Sequence, residues 1–367
     1  MTDLSLPFTP LIRNLPAVVP FVPPEALERR TGRSLKVRVG ANESAFGISP
    51  LAREAMRRAV EQLSWYNDPE AYELRRPLAH LHGVAPEEIC VAAGIDELLG
   101  LVVRLVVESG APVVTSRGTY PTFNFHVAGF GGRLCTAPYQ GDHTDLEALA
   151  AEVRSTGAHL VYLANPDNPL GTWHPAAQVR AFVDQLPGDC LVILDEAYVE
   201  FAPPEVHFPV QTQDPRLIRM RTFSKAHGMA GARIGYALAH RQVVAAFDKI
   251  RNHFAVNRVA QAGALASLGD PAFLQRVVQQ VEEGRRAYQA LAAELGLRAV
   301  PSGTNFVALE IGPRARKLLE VLLENDVFVR MPGVAPLDRC IRVTVGTPQE
   351  RATFAQILRR VLPQVRP

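Results

Sequence analysis

An α/β fold is the prediction for this chain: a mainly parallel sheet of seven strands with helices on both faces, followed by a smaller α+β domain. Two observations predict it. From about residue 88 onward, strand-like runs that are apolar throughout alternate with helical stretches, which is typical of a parallel sheet covered on both faces. The composition is 47% hydrophobic and 21% charged over 367 residues, which indicates a globular chain with room for two or three domains.

The N-terminal part is rich in proline. Residues 1–40 predict an extended arm that joins the smaller domain, with a short helix near residues 24–30, because proline fixes the backbone without a buried core. The next helix has Ser49 as its N-cap and Pro50 at its first position. In order, the elements before the sheet are a loop over 40–47, a helix over 49–63, an aromatic loop over 65–69 and a helix over 70–82.

The sheet follows. Its predicted strands cover residues 89–93, 113–114, 133–137, 160–164, 191–194, 217–220 and 234–239. The helices between them are predicted over 95–107, 120–129, 145–154 and 175–186. Continuous apolar strands separated by helices favour a mainly parallel sheet that is covered on both faces.

The smaller domain has a mixed pattern. A helical stretch over 241–268, interrupted or bent near 252–257, leads to a helix over 271–295. Strands over 305–310, 327–330 and 341–345 then alternate with helices over 314–325 and 349–362. We place the change of domain within 255–270, with a large domain over 41–255 and a small domain over 256–367.

Charge and cysteine content exclude several classes of protein. The net charge of +2 gives no reason to expect a nucleic-acid partner or an anionic membrane surface. No apolar run is long enough to span a bilayer, and the N-terminus lacks the pattern of a secretory signal. The four cysteines are far apart and are interpreted as reduced core residues of a cytoplasmic protein, with no metal site.

Polar residues follow several of the predicted strands, at the edge where parallel sheets bind ligands. Lys225 follows one strand, beside the hydroxyls of Thr222 and Ser224 and the guanidinium of Arg233, a set that could hold a phosphate. Burial, or the charges of Arg221 and Arg233, would disfavour the ammonium form of the lysine. An amine beside an anion site is what a pyridoxal phosphate enzyme needs.

Other groups at this edge could complete such a site. Asp195 could pair with a protonated pyridine nitrogen, while Asn168 and Tyr198 could hold the phenolate oxygen of the ring. The backbone N–H groups of residues 94–96 could bind the phosphate at a helix N-terminus, and Tyr120 could stack on the ring. Each group also has an ordinary structural interpretation, such as a surface lysine, an Asx-turn or a packing aromatic residue. Their occurrence together on one rim favours the cofactor site.

These segments resemble the fold-type I pyridoxal phosphate-dependent aminotransferases, and within them the histidinol-phosphate aminotransferase subgroup. The similar segments are residues 42–47, 65–69, 93–97, 119–121, 165–171, 195–198, 224–225 with 233–236, and 341–346. The resemblance covers the chain from about Ala41 to Leu362 and implies a homodimer whose active sites are shared between subunits.

The resemblance also implies a role for each site residue. Lys225 would bind the cofactor as an imine and later move the substrate proton. The implied cofactor contacts are Asp195 at the pyridine nitrogen, Asn168 and Tyr198 at the phenolate, Tyr120 on the ring, Ile95, Asp96, Ser224, Arg233 and Thr222 at the phosphate, and Tyr66 from the neighbouring subunit. Arg342, assisted by Arg330 and with Asn42 beside them, would bind the substrate.

Some positions depart from the subgroup. Ser44-Ala45 replaces Asn-Pro, Phe21 stands where the arm usually has tyrosine, and Asn67, Phe254-Ala255 and Leu170 also differ. The groups that would bind a substrate phosphate therefore have fewer hydroxyls. The amino donor stays open between a histidinol phosphate-like compound and an aromatic amino acid, with a 2-oxo acid as acceptor and ping-pong kinetics.

Two other kinds of function remain as alternatives. A lyase or decarboxylase of the same fold, acting on a compound such as threonine phosphate, would use the same cofactor groups. A non-catalytic regulator that binds the cofactor would carry a DNA-binding domain first, and residues 1–40 are too short and too rich in proline for one. A nicotinamide dehydrogenase would need G-x-G-x-x-G between the first strand and helix, where this chain has Gly94-Ile95-Asp96-Glu97.

Overall fold

The computed structural model describes residues 6–17, 21–207 and 210–365. The remaining residues of the predicted arm, 1–5 and 18–20, lie outside this part, as do residues 208–209 and 366–367. The strands, in chain order, are β1 Val37–Arg38, β2 Ile89–Ala92, β3 Pro112–Ser116, β4 Arg133–Ala137, β5 Tyr139–Gln140, β6 His143–Thr144, β7 Leu160–Ala164, β8 Leu191–Asp195, β9 Leu217–Thr222, β10 Gly235–Leu238, β11 Arg298–Ala299, β12 Phe306–Glu310, β13 Val327–Phe328 and β14 Cys340–Thr344.

The helices cover both faces of the main sheet and most of the second domain. They are α1 Pro10–Asn14, α2 Pro24–Thr31, α3 Pro50–Val60, α4 Tyr72–His82, α5 Ile95–Val106, α6 Pro121–Gly129, α7 Leu146–Thr156, α8 Ala176–Asp184, α9 Arg241–Asp248, α10 Arg258–Leu268, α11 Pro271–Glu294, α12 Ala315–Glu324 and α13 Pro348–Val365. Ser49 caps α3 as predicted, since its hydroxyl accepts the N–H groups of Leu51 and Ala52.

Seven strands form the main sheet, in the order β2-β10-β9-β8-β7-β3-β4. One apolar face packs against α5, α6 and α9, and the other packs against α7 and α8. All five residues of β7 are buried, which explains why the run is apolar throughout. The predicted α/β sheet with helices on both faces is therefore confirmed.

β10 is antiparallel to both of its neighbours, β9 and β2. The connection from β9 to β10 spans only residues 223–234 and has no crossover helix, so the chain can only return alongside β9 in the opposite direction. Lys225 and Arg233 lie in this connection. Both are therefore held at the edge of the sheet where β9 ends and β10 begins.

The C-terminal part is the predicted smaller α+β unit. β11, β12 and β14 form an antiparallel sheet that packs with α11, α12 and α13 in one apolar cluster. The end of the arm joins this unit, because β1 pairs in parallel with β13 and Val37 and Val39 lie in the same cluster.

The position of the domain boundary stays a prediction. Val256, Ala260 and Ala264 share an apolar cluster with Leu74 and Leu78 of α4, so α10 packs on the first part of the chain. This packing favours a boundary near residue 270, at the C-terminal limit of the predicted interval.

The helical stretch predicted over 241–268, with an interruption or bend near 252–257, is two helices, α9 and α10, separated by residues 249–257. The sequence missed several short elements. Helix α1 and the hairpin of β5 and β6 were not expected, because runs of two to five residues carry no usable periodicity. No helix in the described ranges is long and apolar enough to cross a membrane.

Candidate active site

A cavity of about 230 Å³ opens at the carboxyl ends of the central parallel strands. β7, β8 and β9 end at this edge, and α5 begins there. Ten of the eleven predicted cofactor residues line the cavity: Ile95, Asp96, Tyr120, Asn168, Asp195, Tyr198, Thr222, Ser224, Lys225 and Arg233. The eleventh, Tyr66, does not line it in its own chain.

Lys225 points its amine towards the loop at the end of the arm. Its Nζ donates to the backbone carbonyl of Asn42 at 3.1 Å and lies 5.5 Å from the ring centroid of Tyr198. Burial, and then the charge of Arg342, lower the pKa of Lys225 to about 8. A substantial fraction of the amine is therefore neutral near physiological pH and can act as a nucleophile.

The arginine that contributes most to the lowered pKa of Lys225 is not one of the two that the sequence indicated, Arg221 and Arg233. Arg233 contributes to the lowered pKa of Lys225, but Arg342 contributes more. Arg221 instead forms an ion pair with Glu196, at 3.0 Å, and Glu196 also binds the buried Arg219. The charge of Arg221 is therefore balanced inside the protein.

Asp195 is the last residue of β8, and its carboxylate is buried. It accepts hydrogen bonds from the Tyr162 hydroxyl at 2.7 Å and from the Ala197 backbone N–H at 3.0 Å. Burial raises the pKa of Asp195 to about 6, since these two neutral donors do not replace the lost hydration. A cationic nitrogen in the cavity would restore the ordinary carboxylate state.

Tyr198 and Asn168 both line the cavity and contact each other. The Tyr198 hydroxyl accepts from Asn42 Nδ2 at 2.9 Å and from Asn168 Nδ2 at 3.5 Å. Arg342 donates from Nη1 to Asn168 Oδ1 at 2.6 Å, which fixes the orientation of the amide. The two predicted phenolate donors are thus adjacent, and one of them contacts a predicted substrate arginine.

The N-terminus of α5, the hydroxyls of Thr222 and Ser224 and the guanidinium of Arg233 form an anion cradle. Gly94, the N-cap of α5, provides no side chain, so no side chain caps the first-turn N–H groups of Ile95 and Asp96. A Cβ at position 94 would lie 2.7 Å from Arg233 Nη2, so a larger residue would displace the guanidinium. This donor set fits a phosphate.

Asp96 holds two residues of the cavity in place. Its Oδ1 accepts from the Tyr120 hydroxyl at 2.9 Å, and its Oδ2 pairs with Arg233 Nη2 at 3.3 Å. The ring of Tyr120 also stacks on Phe21 of the arm, with a centroid distance of 6.0 Å and an angle of 30° between the rings. The arm therefore reaches the rim of the cavity.

The two predicted substrate arginines are neighbours. Their backbones pair across an isolated antiparallel bridge between Arg330 and Arg342. Arg330 lies over the rings of Phe21 and Phe328, and Arg342 lies over Phe306. Burial lowers the pKa of Arg342 to about 10. The described hydrogen-bond partners of the two guanidiniums are neutral: the Asn168 side chain and the Gly40 carbonyl for Arg342, and the Val22 carbonyl for Arg330. Two neighbouring guanidinium cations without a carboxylate partner among the described residues favour the binding of an anionic ligand.

Tyr66 lies on the surface, 81% exposed, in contact with Phe254 at a ring-centroid distance of 4.8 Å. Its backbone carbonyl accepts from Arg258 Nη2 at 2.7 Å. Leu63 and Trp65 beside it are also more than half exposed. The sequence placed Tyr66 in a neighbouring subunit's site, and this exposure leaves it free for such a contact.

Sequence reasoning missed Tyr162 and Asn305. Tyr162 lies on β7, and the register Tyr162↔Ile193 and Ala164↔Asp195 places it on the same face of the sheet as Asp195. If the ends of β7 and β8 had been aligned in the sequence, Ala164 would have paired with Asp195, and Tyr162, two residues earlier, would have been placed on the same face. Asn305 donates to the carbonyl of Asn42 at 3.1 Å, a long-range contact that no local pattern indicates.

A comparison with known families gives the identity. The profile of the family described as "Aminotransferase class I and II" matches residues 35–358. The chain belongs to this family. Among the curated aminotransferases, it is 39% identical to a histidinol-phosphate aminotransferase of Anaeromyxobacter sp. over 96% of this chain and 98% of the relative. It is 33% identical to histidinol-phosphate aminotransferase 2 of Carboxydothermus hydrogenoformans, over 96% of this chain and 98% of that one.

Solved aminotransferase structures share the fold. Histidinol-phosphate aminotransferase from Sinorhizobium meliloti, determined in complex with pyridoxal-5'-phosphate, is 48% identical, covers all of both chains and superposes with a TM-score of 0.96. The predicted fold type I and the predicted transaminase activity are confirmed by these relationships. No cluster of residues suited to a metal ion occurs among the described parts of this aminotransferase.

Proposed function

We propose that this aminotransferase uses pyridoxal 5'-phosphate to move the amino group of a histidinol phosphate-like donor to a 2-oxo acid. The observation that carries the proposal is a pair of arginines next to the cavity: Arg342 donates to Asn168 of the cavity lining, and Arg330 pairs with Arg342 through its backbone. Neither arginine lines the cavity itself, whose lining includes the anion cradle. One phosphate would belong to the cofactor and the other to the substrate. The names of the similar aminotransferases support this choice of donor.

The residues of the cavity fit the cofactor. Its phosphate would lie on the N–H groups of Ile95 and Asp96, the hydroxyls of Thr222 and Ser224 and the Arg233 guanidinium. The buried Asp195 carboxylate, raised in pKa and lacking a cationic partner of its own, suits a protonated pyridine nitrogen. When bound, pyridoxal phosphate supplies an electron sink that stabilises the negative charge left when the substrate loses its Cα proton.

The side chains have separate tasks in this proposal. Lys225 would act as the nucleophile that holds the cofactor and then, as a free amine, would move a proton from the substrate Cα to the cofactor carbon on the other side of the transferred nitrogen. Asn168 and Tyr198 hold the phenolate side, and Tyr120 covers the ring. Arg342 and Arg330 orient the substrate through its anionic end, so that the Cα proton faces Lys225 Nζ.

Histidinol phosphate is expected to be a better donor than histidinol or phenylalanine, by at least about tenfold in kcat/KM, because a pocket built for an anion loses its charge-assisted hydrogen bonds without one. The measurement is steady-state kinetics of purified enzyme with 2-oxoglutarate as acceptor. Arg330→Gln should raise KM for histidinol phosphate and change KM for histidinol little, which makes histidinol the matched control.

Two outcomes would change this assignment. Preference for phenylalanine over histidinol phosphate would favour the aromatic alternative, in which Arg342 binds a carboxylate. Release of carbon dioxide or of phosphate in place of the keto product would favour the lyase or decarboxylase alternative.

We also propose that the enzyme is a cytoplasmic homodimer in which Tyr66 completes the site of the partner subunit. The support is the exposure of several large apolar side chains at the aromatic loop, Leu63, Trp65 and Tyr66, together with Phe254, which contacts Tyr66; a monomer would leave these side chains in water. All four cysteines are buried free thiols, in keeping with a reducing compartment. The proposed parts are the arm over 1–40, a large domain from residue 41 and a small domain to residue 367. The sequence put their boundary at 255/256, and the packing of α10 on α4 favours a boundary closer to residue 270.

Mixing two defective variants tests the shared site. Tyr66→Ala and Lys225→Ala are each expected to be impaired as homodimers. A refolded equimolar mixture should recover about one quarter of wild-type activity, because half of the dimers are hybrid and each hybrid has one intact site. If Tyr66 served its own subunit, no hybrid site would be intact and activity would not recover.

A further inference from the structure

We infer that Asn42 is a positioning residue that orients the amine of Lys225 with its backbone and the hydroxyl of Tyr198 with its side chain. This inference rests on the proposed function, and it replaces the substrate contact that the sequence predicted for Asn42. The residue lies at the junction of the arm, the lysine segment and the second domain.

Every polar group of Asn42 already has a protein partner. Its N–H donates to Thr344 Oγ1 at 3.0 Å, and its Oδ1 accepts from the same hydroxyl at 3.2 Å. Its Nδ2 donates to the Tyr198 hydroxyl at 2.9 Å. Its carbonyl accepts from Lys225 Nζ and from Asn305 Nδ2, both at 3.1 Å. At 2% exposure, the side chain is directed into the protein.

The backbone conformation of Asn42 explains why this residue type is suited to the position. Its φ angle is +56°, in the left-handed region that glycine, asparagine and aspartate adopt most readily. This conformation directs the carbonyl to Lys225 while the side chain reaches Tyr198. Glycine could keep the first contact but not the second, and alanine would disfavour both.

The contact has a consequence for the proton transfer. A carbonyl oxygen accepts a hydrogen bond from either the ammonium or the amine form, so it gives the released Lys225 a fixed resting direction. Thr344 and Asn305, which hold Asn42, belong to β14 and to the residue before β12. The orientation of the amine is thus set by the second domain, although Lys225 itself belongs to the first.

The test compares Asn42→Gly with Asn42→Ala. In cofactor-free protein, the pH dependence of Lys225 acetylation by acetic anhydride, measured by peptide mass spectrometry, reports the state of the amine. Asn42→Gly should keep the wild-type midpoint, and Asn42→Ala should lower it by about one pH unit because the ammonium loses an acceptor. In loaded enzyme, kcat should fall about fivefold for Gly and further for Ala, with KM for the donor changed less than twofold.

Controls separate this role from general destabilisation. Asp326→Ala removes another left-handed residue, φ +62°, far along the chain, and should leave the acetylation midpoint unchanged. If Asn42→Ala does not fold, Thr344→Val should shift the midpoint in the same direction, because it removes the hydroxyl that holds Asn42. Equal midpoints in all variants, or a rise in KM with unchanged kcat, would overturn the inference. The acetylation measurement needs no substrate, so it stands even if the proposed donor is wrong.

Discussion

Lys225→Ala is expected to abolish transamination, with a loss of at least about 10³-fold in kcat, because the variant has neither the nucleophile nor the proton carrier. The anion cradle and Asp195 do not depend on the lysine side chain, so the variant should still bind pyridoxal phosphate without a covalent bond. The measurement is kcat with the preferred donor, together with the cofactor content after gel filtration and the visible spectrum.

Lys225→Arg is the matched control, since it keeps a cation in the cavity but remains protonated at any accessible pH. It should be as inactive as the alanine variant. The wild-type protein should take up pyridoxal phosphate faster as pH rises towards 8 and then level off, because the pKa of Lys225 is lowered to about 8 by burial and by Arg342. Substantial turnover by either variant, or uptake independent of pH between 6 and 9, would contradict the assignment.

Asp195→Asn should reduce kcat/KM by about 10²–10³-fold, the usual cost of removing one preorganised charge from an active site. The substitution conserves shape but removes the negative charge that keeps a bound pyridine nitrogen protonated. Steady-state kinetics measure the loss. Tyr162→Phe, which removes only the hydrogen bond to the Asp195 carboxylate, should cost far less.

Asp195→Asn, which should lower the activity of the loaded enzyme, is expected to raise the stability of the cofactor-free protein. Because burial raises the pKa of Asp195 to about 6, ionising it in the folded state costs stability as pH rises from about 4 to 6. Asp195→Asn removes this cost, worth up to about 3 kcal/mol at pH 7 by linkage. Denaturant unfolding of cofactor-free protein should therefore show a variant that is more stable at pH 7 and unchanged near pH 4. A variant that is less stable than the wild type at pH 7 would show that ionised Asp195 does not destabilise the folded protein at that pH.

The sequence predicted the main sheet, and ten of the eleven predicted cofactor residues line one cavity, for one physical reason. Parallel strands end at a common edge, so Asn168, Asp195 and Lys225, which each follow a strand, had to converge there. The connection before Gly235 is also visibly short in the sequence and lacks a helix, but the antiparallel direction of β10 that follows from it was not predicted.

What the sequence could not give are contacts made across the chain. The carbonyl of Asn42 on Lys225 joins residues 183 positions apart, and the Asn305 contact joins residues 263 positions apart. The boundary within 255–270 was difficult to place because α10, the second half of the helical stretch predicted over 241–268, packs on α4. Helical periodicity reports that a face is buried and does not report which neighbour buries it.

The proposed cofactor groups and the proposed substrate arginines come from different sheets. Lys225, Asp195 and the anion cradle are carried by the seven-stranded sheet, while Arg342 lies on β14 and Arg330 pairs beside it. Arg342 lowers the pKa of Lys225 and Thr344 holds Asn42, so substitutions in β14 would also affect the reactive centre. The described contacts of Arg330 are with Phe21, Phe328 and the Val22 carbonyl, so a substitution there could alter which molecule is accepted with less effect on Lys225. Substitutions at Arg330 and Phe21 could therefore change the substrate specificity of the enzyme while the reaction itself is preserved.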